Sequence, residues 1–236
     1  MFSFQDQQVL VVGGSSGIGL ATARAFAHAG ARVTIASRSA GKLAAAAAGI
    51  GHGTEWAELD TADNDAVEAL LGSRRWHHVV VSAAQTPSGP VRKLSLEDAG
   101  KAMESKFWGA YRVARAANIV AGGSLTLVSG FLSVRPSGSS VLQGAINAAL
   151  ESLVRGLALE FSPVRVNAVS PGMIRTPLWD GMDDEKREAL FKAVAEKVPA
   201  KRIGEAEDIA NAVLYAAATP FTTGSTILVD GGGAIA

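Results

Sequence analysis

The stretch VLVVGGSSGIGLATARAF, residues 9–26, joins a short apolar run to a helical one through a turn rich in glycine. Its glycines are spaced as Gly13-x-x-x-Gly17-x-Gly19. Gly13 permits a tight turn, Gly17 lets a pyrophosphate approach the backbone, and Gly19 lets the helix pack close to the strand. N–H groups without intrahelical partners and the helix dipole would then face the phosphates. The stretch therefore predicts a strand–turn–helix unit that binds a dinucleotide, and a glycine-rich turn without a ligand is the alternative.

The rest of the chain repeats this alternation of strand and helix. Short runs rich in Val, Ile and Leu, with little polar alternation, are typical of parallel strands covered on both faces. Gly30 is typical of a helix end, and Ser95-x-x-Asp98 of a helix start. The order predicts a single domain over residues 1–236, a doubly wound (Rossmann) α/β three-layer sandwich with a seven-stranded, mostly parallel sheet. The predicted strands are 9–12, 31–36, 54–59, 79–82, 124–128, 165–169 and 226–229; the main predicted helices are 17–29, one from 39, 95–117, 140–159, 184–197 and 206–218.

The composition excludes several classes of function. Lys and Arg balance Asp and Glu at 22 each, so no net charge favours a nucleic-acid or membrane partner. The chain has no cysteine, and its four scattered histidines do not suggest a metal site. The N-terminus lacks the pattern of a signal peptide, and no apolar run is long enough to span a bilayer. We therefore expect a soluble, cytoplasmic protein.

The end of the second predicted strand bears on the choice of cofactor. An acidic residue there would bind the ribose 2′-hydroxyl and favour NAD. The chain has Ser37 followed by Arg38 instead. A serine does not repel a 2′-phosphate, and a guanidinium can bind one through two hydrogen bonds. The pair favours NADP(H); a solvated surface arginine is the alternative.

Several motifs together resemble the short-chain dehydrogenase/reductase family along essentially the whole chain. They are the glycine motif, ELDTAD (58–63), RVNAVSPGMIRTPL (165–178), RIGEAEDIANAVLYAAA (202–218) and TGSTILVDGG (223–232). The resemblance implies NADP(H) binding, with Asp60 near the adenine and with Pro171, Gly172 and Thr176 near the nicotinamide. The cofactor-binding residues predicted in this way are Gly13, Ser15, Ser16, Gly17, Ile18, Gly19, Ser37, Arg38, Asp60, Ser82, Ala83, Ala84, Asn147, Pro171, Gly172, Ile174 and Thr176.

The catalytic positions of the family depart from its pattern. The resemblance places Lys106 where the family has asparagine, Gln143 where it has tyrosine and Asn147 where it has lysine. The serine position falls on Gly130, and a slip of one residue would give Ser129 that role. The resemblance implies that the family tyrosine protonates the substrate oxygen and that the lysine lowers the tyrosine's pKa and holds the ribose. An amide supplies no such proton.

Because asparagine and lysine are exchanged, Lys106 could take over a role of the missing family lysine or tyrosine. If the two helices face each other, the Lys106 ammonium enters the same space from the opposite wall, where it would hold the ribose or act as an acid. A structural hydrogen bond or ion pair is the alternative. The predicted catalytic set is Lys106, Ser129, Gln143 and Asn147.

Two functions remain open at this stage. One is an atypical NADP(H)-dependent oxidoreductase for a carbonyl or alcohol, an enone or an imine; the other is a cofactor-binding sensor or partner subunit without turnover. The resemblance also implies a homodimer or homotetramer through apolar residues of two helices, and a mobile lid over the substrate. Residues named for the interface, which would serve the core equally well, are Phe107, Trp108, Leu150, Leu153, Val154 and Leu157; those named for an apolar pocket, with lid packing as the alternative, are Phe131, Leu132, Trp179 and Met182.

Overall fold

Seven parallel strands form one sheet in the order β3-β2-β1-β4-β5-β6-β9 in the computed structural model, which describes residues 2–236. All six neighbouring pairs are parallel. The chain starts in the middle of the sheet, builds outward to β3 and then returns to build the other half. The predicted fold class is therefore confirmed. The strands are β1 (Gln8–Val12), β2 (Arg32–Ser37), β3 (Glu55–Glu58), β4 (Trp76–Val81), β5 (Ile119–Val128), β6 (Arg165–Pro171) and β9 (Thr226–Val229); a separate two-stranded sheet pairs β7 (Ile174–Arg175) with β8 (Gly204–Glu205).

Helices cover both faces of the sheet and create two apolar layers. Helices α1, α2 and α8 pack on one face, and α3, α5 and α6 pack on the other. Because both faces are covered, the strands carry long runs of buried apolar residues, such as Val9–Val12 in β1. The helices are α1 (Gly17–His28), α2 (Ala40–Ile50), α3 (Asn64–Gly72), α4 (Leu96–Ala102), α5 (Gly109–Ala116), α6 (Val141–Glu160), α7 (Asp184–Lys197) and α8 (Ala206–Ala218).

Side-chain caps and a left-handed glycine define several helix ends, of which the sequence predicted those at Ser95 and Gly30. The Ser95 hydroxyl accepts a hydrogen bond from the Asp98 N–H (3.0 Å) at the start of α4. The carboxylate of Asp183 accepts one from the Lys186 N–H (3.2 Å) at the start of α7. Gly30 follows α1 with a φ of 91°, a left-handed conformation that favours glycine.

The fifth strand begins earlier than predicted, at Ile119 rather than at residue 124. Gly122 and Gly123 interrupt the apolar pattern, and Gly122 has a φ of 78°. The pairing of β4 with β5 shifts register beside them. An irregularity of this kind weakens the sequence signal of a strand without ending the strand.

Within residues 2–236, no helix is both long enough and apolar enough to cross a membrane. The same residues bring no three His, Asp or Glu side chains together in an arrangement that would hold a metal ion.

Candidate active site

The glycine-rich turn lies at the carboxyl end of β1 and packs tightly against its neighbours. A Cβ atom on Gly13 would lie 2.5 Å from the Ala83 nitrogen, and one on Gly19 would lie 2.1 Å from the Gly13 carbonyl oxygen. Gly13 and Gly17 also have left-handed backbone, with φ of 89° and 51°. The turn therefore requires glycine at these positions, as the sequence predicted.

The first turn of α1 presents backbone donors at this edge of the sheet. The first intrahelical bond runs from the Leu20 N–H to the Ser16 carbonyl (3.1 Å), so the N–H groups of Gly17, Ile18 and Gly19 precede the hydrogen-bonded part of the helix. The Ser16 side chain does not cap them. Donors in this arrangement, at the positive end of a helix dipole, fit a pyrophosphate.

The end of β2 lies next to the turn, because the N–H of Gly13 donates to the Ala36 carbonyl (2.7 Å). Ser37 follows, and its buried hydroxyl has no hydrogen-bond partner among the described residues. Arg38 is exposed and forms no ion pair within residues 2–236. An exposed guanidinium without an ion pair at the end of this strand could hold the 2′-phosphate of NADP(H).

The other predicted cofactor residues lie at the same edge. Ser82 and Ala83 follow β4, and both N–H groups donate to the Val12 carbonyl, at 2.9 and 3.2 Å. Asp60 is exposed after β3 and accepts a bond from the Ala62 N–H (3.0 Å). Ser15 is half-buried in the glycine-rich turn, and Ala84 is exposed in the loop after β4.

The segment after β6 closes the other side of this edge. A Cβ atom on Gly172 would lie 2.6 Å from the Asp230 Cα, so the turn after Pro171 requires a small residue. Ile174 is buried in β7. A Cβ atom on Gly17 would lie 3.4 Å from the Thr176 Cβ. Thr176 therefore faces the glycine-rich turn.

A π-helical segment positions Lys106. Met103–Trp108 runs between α4 and α5 as one wide turn, in which the Gly109 N–H donates to the Glu104 carbonyl five residues earlier. A π segment places one more residue in a helix than its path requires and often occurs at functional sites. The sequence predicted a continuous helix here and missed this turn.

Lys106 and Asn147 meet across the site. The Lys106 ammonium donates to the Asn147 Oδ1 (2.7 Å) and to the backbone carbonyl of Ser129 (2.8 Å). Burial lowers the pKa of Lys106 to about 8, and the nearby Glu151 carboxylate opposes that shift. The predicted approach of Lys106 from the opposite wall therefore corresponds to an observed contact.

Gln143 lies one turn before Asn147 on the same face of α6. Its Nε2 donates to the Thr86 carbonyl (2.9 Å) and to the Thr86 hydroxyl (3.0 Å). The side-chain amide is thus engaged with the loop after β4. A second bond holds this loop, because the Gln85 N–H donates to the Ser105 hydroxyl of the π segment (2.7 Å).

Ser129 contributes its backbone carbonyl, not its hydroxyl, to the contact with Lys106. The residue is 4% exposed, and its hydroxyl donates to the Glu151 carboxylate (2.9 Å). Gly130, at the family's serine position, packs against Asn147: a Cβ atom there would lie 2.7 Å from Asn147 Nδ2. Sequence reasoning missed Glu151, although its spacing of four residues from Asn147 places both on one helix face.

The predicted pocket residues separate into two groups. Trp179 and Met182 line a cavity of about 450 Å³ together with Leu178. The Trp179 indole N–H donates to the Ile174 carbonyl (2.9 Å), so this side chain also fixes the segment in place. Phe131 lies instead beside Gly233 near the C-terminus.

Comparisons with known proteins show what this chain is similar to in sequence and fold. A family model described as enoyl-(acyl carrier protein) reductase matches residues 12–233. An uncharacterised oxidoreductase of Mycobacterium tuberculosis is 34% identical over 254 residues, covering 98% of this chain and 92% of that protein. A short-chain dehydrogenase/reductase of an Acremonium species is 31% identical over 256 residues, covering 98% and 97%. A crystal structure of a small-chain dehydrogenase in complex with NADPH is 32% identical, with a TM-score of 0.86 over 98% of this chain and 100% of that one.

Proposed function

This chain belongs to the short-chain dehydrogenase/reductase family, and on that premise we propose that it is an atypical NADP(H)-dependent oxidoreductase. Its substrate would be a small carbonyl compound or alcohol, an enone or an imine. The observation that carries the proposal is the Lys106 ammonium, held by Ser129 and Asn147 at the positions where the family has other catalytic groups.

The cofactor would lie along the carboxyl edge of the sheet. The α1 donors and the glycine-rich turn would hold the pyrophosphate, and Ser37 with Arg38 would hold the 2′-phosphate. The NADPH complex of a relative with 32% identity supports this choice of cofactor. When bound, the reduced nicotinamide supplies hydride.

Lys106 would supply the proton. An ammonium has three N–H groups, of which two donate to protein oxygens here. The third is available to a substrate oxygen. A lysine with a pKa of about 8 is a far better acid at neutral pH than an ordinary lysine. Gln143 and Asn147 would orient the lysine and the loop rather than transfer protons, and Ser129 would contribute its carbonyl.

The first experiment measures NADPH oxidation, with product identified, against ketones, aldehydes, enones, imines and quinones between pH 6 and 10. We expect reduction that slows as the pH rises through about 8, because Lys106 then loses the proton that it must give. Lys106→Met should lower turnover by about 10²-fold and leave the Kd for NADPH within about threefold. Lys101→Met, on the exposed side of α4, is the matched control. Full turnover in Lys106→Met would refute the proposed role.

An NADP(H)-binding sensor or partner subunit is the second candidate. The engagement of Gln143 with Thr86 and of the Ser129 hydroxyl with Glu151 favours it, because neither group is free to polarise a carbonyl. Tight NADPH binding with no product across the panel would support this candidate.

We further propose that the chain forms a single domain and is located in the cytoplasm. We also propose that it assembles into a homodimer or homotetramer. Leu150, Val154 and Leu157 are buried in the core of the chain itself. Trp108 remains 44% exposed beside Tyr111, which is 41% exposed. This aromatic pair supports an interface at the junction of the π segment and α5.

A further inference from the structure

Glu151 is a buried acid without a salt bridge. It is 7% exposed in α6, and within residues 2–236 no Lys, Arg or His nitrogen forms an ion pair with it. One carboxylate oxygen accepts hydrogen bonds from the Ser129 hydroxyl (2.9 Å) and the Ser133 hydroxyl (2.7 Å). Removing a carboxylate from water is costly unless other charges or donors compensate. The position of this acid therefore calls for a physical reason.

Ser129 links Glu151 to Lys106. Its hydroxyl donates to the carboxylate, and its carbonyl accepts from the ammonium. Asn147, the other acceptor of Lys106, lies one helical turn before Glu151 on α6. The acid thus supports the Ser129 side of the lysine contact through a hydrogen bond and lies one helical turn from the Asn147 side.

Glu151 is also the negative charge that acts on Lys106. Other charged groups on the elements around Lys106 are engaged elsewhere or exposed. On the π segment and the neighbouring helices, the pairs are Glu104 with Arg112, Glu97 and Asp98 with Lys101, and Arg115 with Glu68; on α6, Arg155 and Glu160 are exposed. Glu151 alone is buried beside the ammonium, and it opposes the effect of burial on the pKa of Lys106.

We propose that Glu151 is a positioning residue: its carboxylate fixes Ser129 so that the Ser129 carbonyl and Asn147 cradle the Lys106 ammonium, and its charge keeps that ammonium protonated near neutral pH. The consequence for turnover rests on the proposed oxidoreductase function. The effect on the charge of Lys106 is independent of that function.

The test compares Glu151→Gln with the wild-type protein. Glutamine keeps the volume and an acceptor oxygen for both serines but removes the charge. Lys106 is titrated between pH 6 and 11 by NMR of ¹⁵N-lysine protein, with its signal assigned by its absence in Lys106→Gln. We expect the pKa of Lys106 to fall from about 8 by roughly one unit in Glu151→Gln. The control Glu160→Gln, an exposed acid on the same helix, should leave it unchanged.

An unchanged titration of Lys106 in Glu151→Gln would overturn the proposal. If that variant does not fold, the ¹³C carboxyl shift of Glu151 in the wild-type protein decides instead. An ionised carboxylate at pH 7 would support the proposal, and a protonated one would overturn it because it carries no countercharge.

Turnover measurements test the part of the proposal that depends on the oxidoreductase function. A fall of one unit in the pKa of Lys106 lowers its protonated fraction at pH 8 by about fivefold, so turnover at pH 8 should fall about fivefold and the alkaline limb of the pH profile should move down by about one unit. If the panel of acceptors gives no product, the NMR titration still tests Glu151. The two failures are therefore distinguishable.

Discussion

At the residue scale, the exchange of asparagine and lysine brings the Lys106 ammonium into contact with the Asn147 side chain. The resemblance places asparagine on the first helix and lysine on the second, and this chain has the opposite arrangement. The two side chains meet at 2.7 Å. In this chain the cation therefore lies on the first of the two helical segments and its amide partner on the second.

Gln143 offers a direct test of this arrangement. In Gln143→Tyr, a phenol would replace the amide one turn before Asn147, close to the Lys106 cation that would favour its ionised form. We expect ketone reduction to rise about tenfold, less than the roughly 10²–10⁴-fold that a proton donor typically contributes, because Lys106 already supplies a proton in the proposed mechanism. Rates with one ketone are compared at equal saturation with NADPH.

The control for that substitution is Gln143→Phe. It also breaks the bonds to Thr86 and adds an aromatic ring, but it has no hydroxyl. Equal rates in the two variants would show that the phenol does not act as an acid.

Arg38 should determine the proposed preference for NADPH over NADH. In Arg38→Ala, we expect the Kd for NADPH to rise by about 10- to 100-fold, because charge-assisted hydrogen bonds contribute about 1.5–3 kcal/mol. The Kd for NADH should change by less than about threefold. Calorimetry with both cofactors checks this, with exposed Arg155→Ala as the control. An equal rise in the Kd for NADPH and for NADH would contradict a contact between Arg38 and the 2′-phosphate.

At the scale of elements, the packing of α1 against β1 depends on glycine. A Cβ atom on Gly19 would lie 2.1 Å from the Gly13 carbonyl and 2.5 Å from the Ser82 hydroxyl. Gly19→Ala should therefore destabilise the chain by about 1–3 kcal/mol and weaken NADPH binding. Denaturant unfolding and calorimetry measure the two effects.

Gly156 provides the matched control in α6. Nothing lies within 4 Å of a Cβ atom there, and the residue is exposed inside a 20-residue helix. Gly156→Ala should stabilise the chain by up to about 1 kcal/mol, because alanine is a better helix former. Similar losses of stability in both variants would contradict the steric argument.

The regular elements were predictable because their signals are local. The seventh strand and α8 match their predicted ranges, and Ser95 caps the helix that it was expected to begin. The two-residue strands β7 and β8 were not predictable, since their pairing joins segments distant in sequence. The π segment was missed because an extra residue leaves no distinct apolar pattern.

The sequence predicted where the site lies in the fold better than it predicted the hydrogen bonds within the site. The glycine motif and the resemblance predicted that the site lies at the carboxyl edge of the sheet. They also predicted that Lys106 and Asn147 lie close together there. The direction of the Ser129 hydroxyl and the role of Glu151 depend on packing between β5 and α6. Residue types alone do not specify which of two polar atoms on one residue faces a partner.

At the scale of the whole molecule, the exposed Trp108 bears on assembly. Its ring packs edge to face against Tyr111, with centroids 5.7 Å apart. Trp108→Glu should convert a wild-type homodimer or homotetramer into smaller species, because an interface does not tolerate an unpaired charge. Light scattering after size exclusion measures the mass.

Trp56 provides the matched control for Trp108, because it is also 44% exposed but lies on the edge strand β3. Trp56→Glu should leave the mass unchanged. A monomeric wild-type protein, or an unchanged mass in Trp108→Glu, would contradict the proposed interface.

The π segment makes the position of Lys106 sensitive to the loss of a single residue. Deleting one residue from Met103–Trp108 would let an ordinary α-helix connect the same two ends. The scaffold would survive, but each residue lost or gained turns its neighbours by about 100° around the axis. The deletion of a single codon would thus be enough to turn Lys106 away from Asn147. A descendant with that deletion would keep the glycine-rich turn and the edge of the sheet at which the cofactor is proposed to bind.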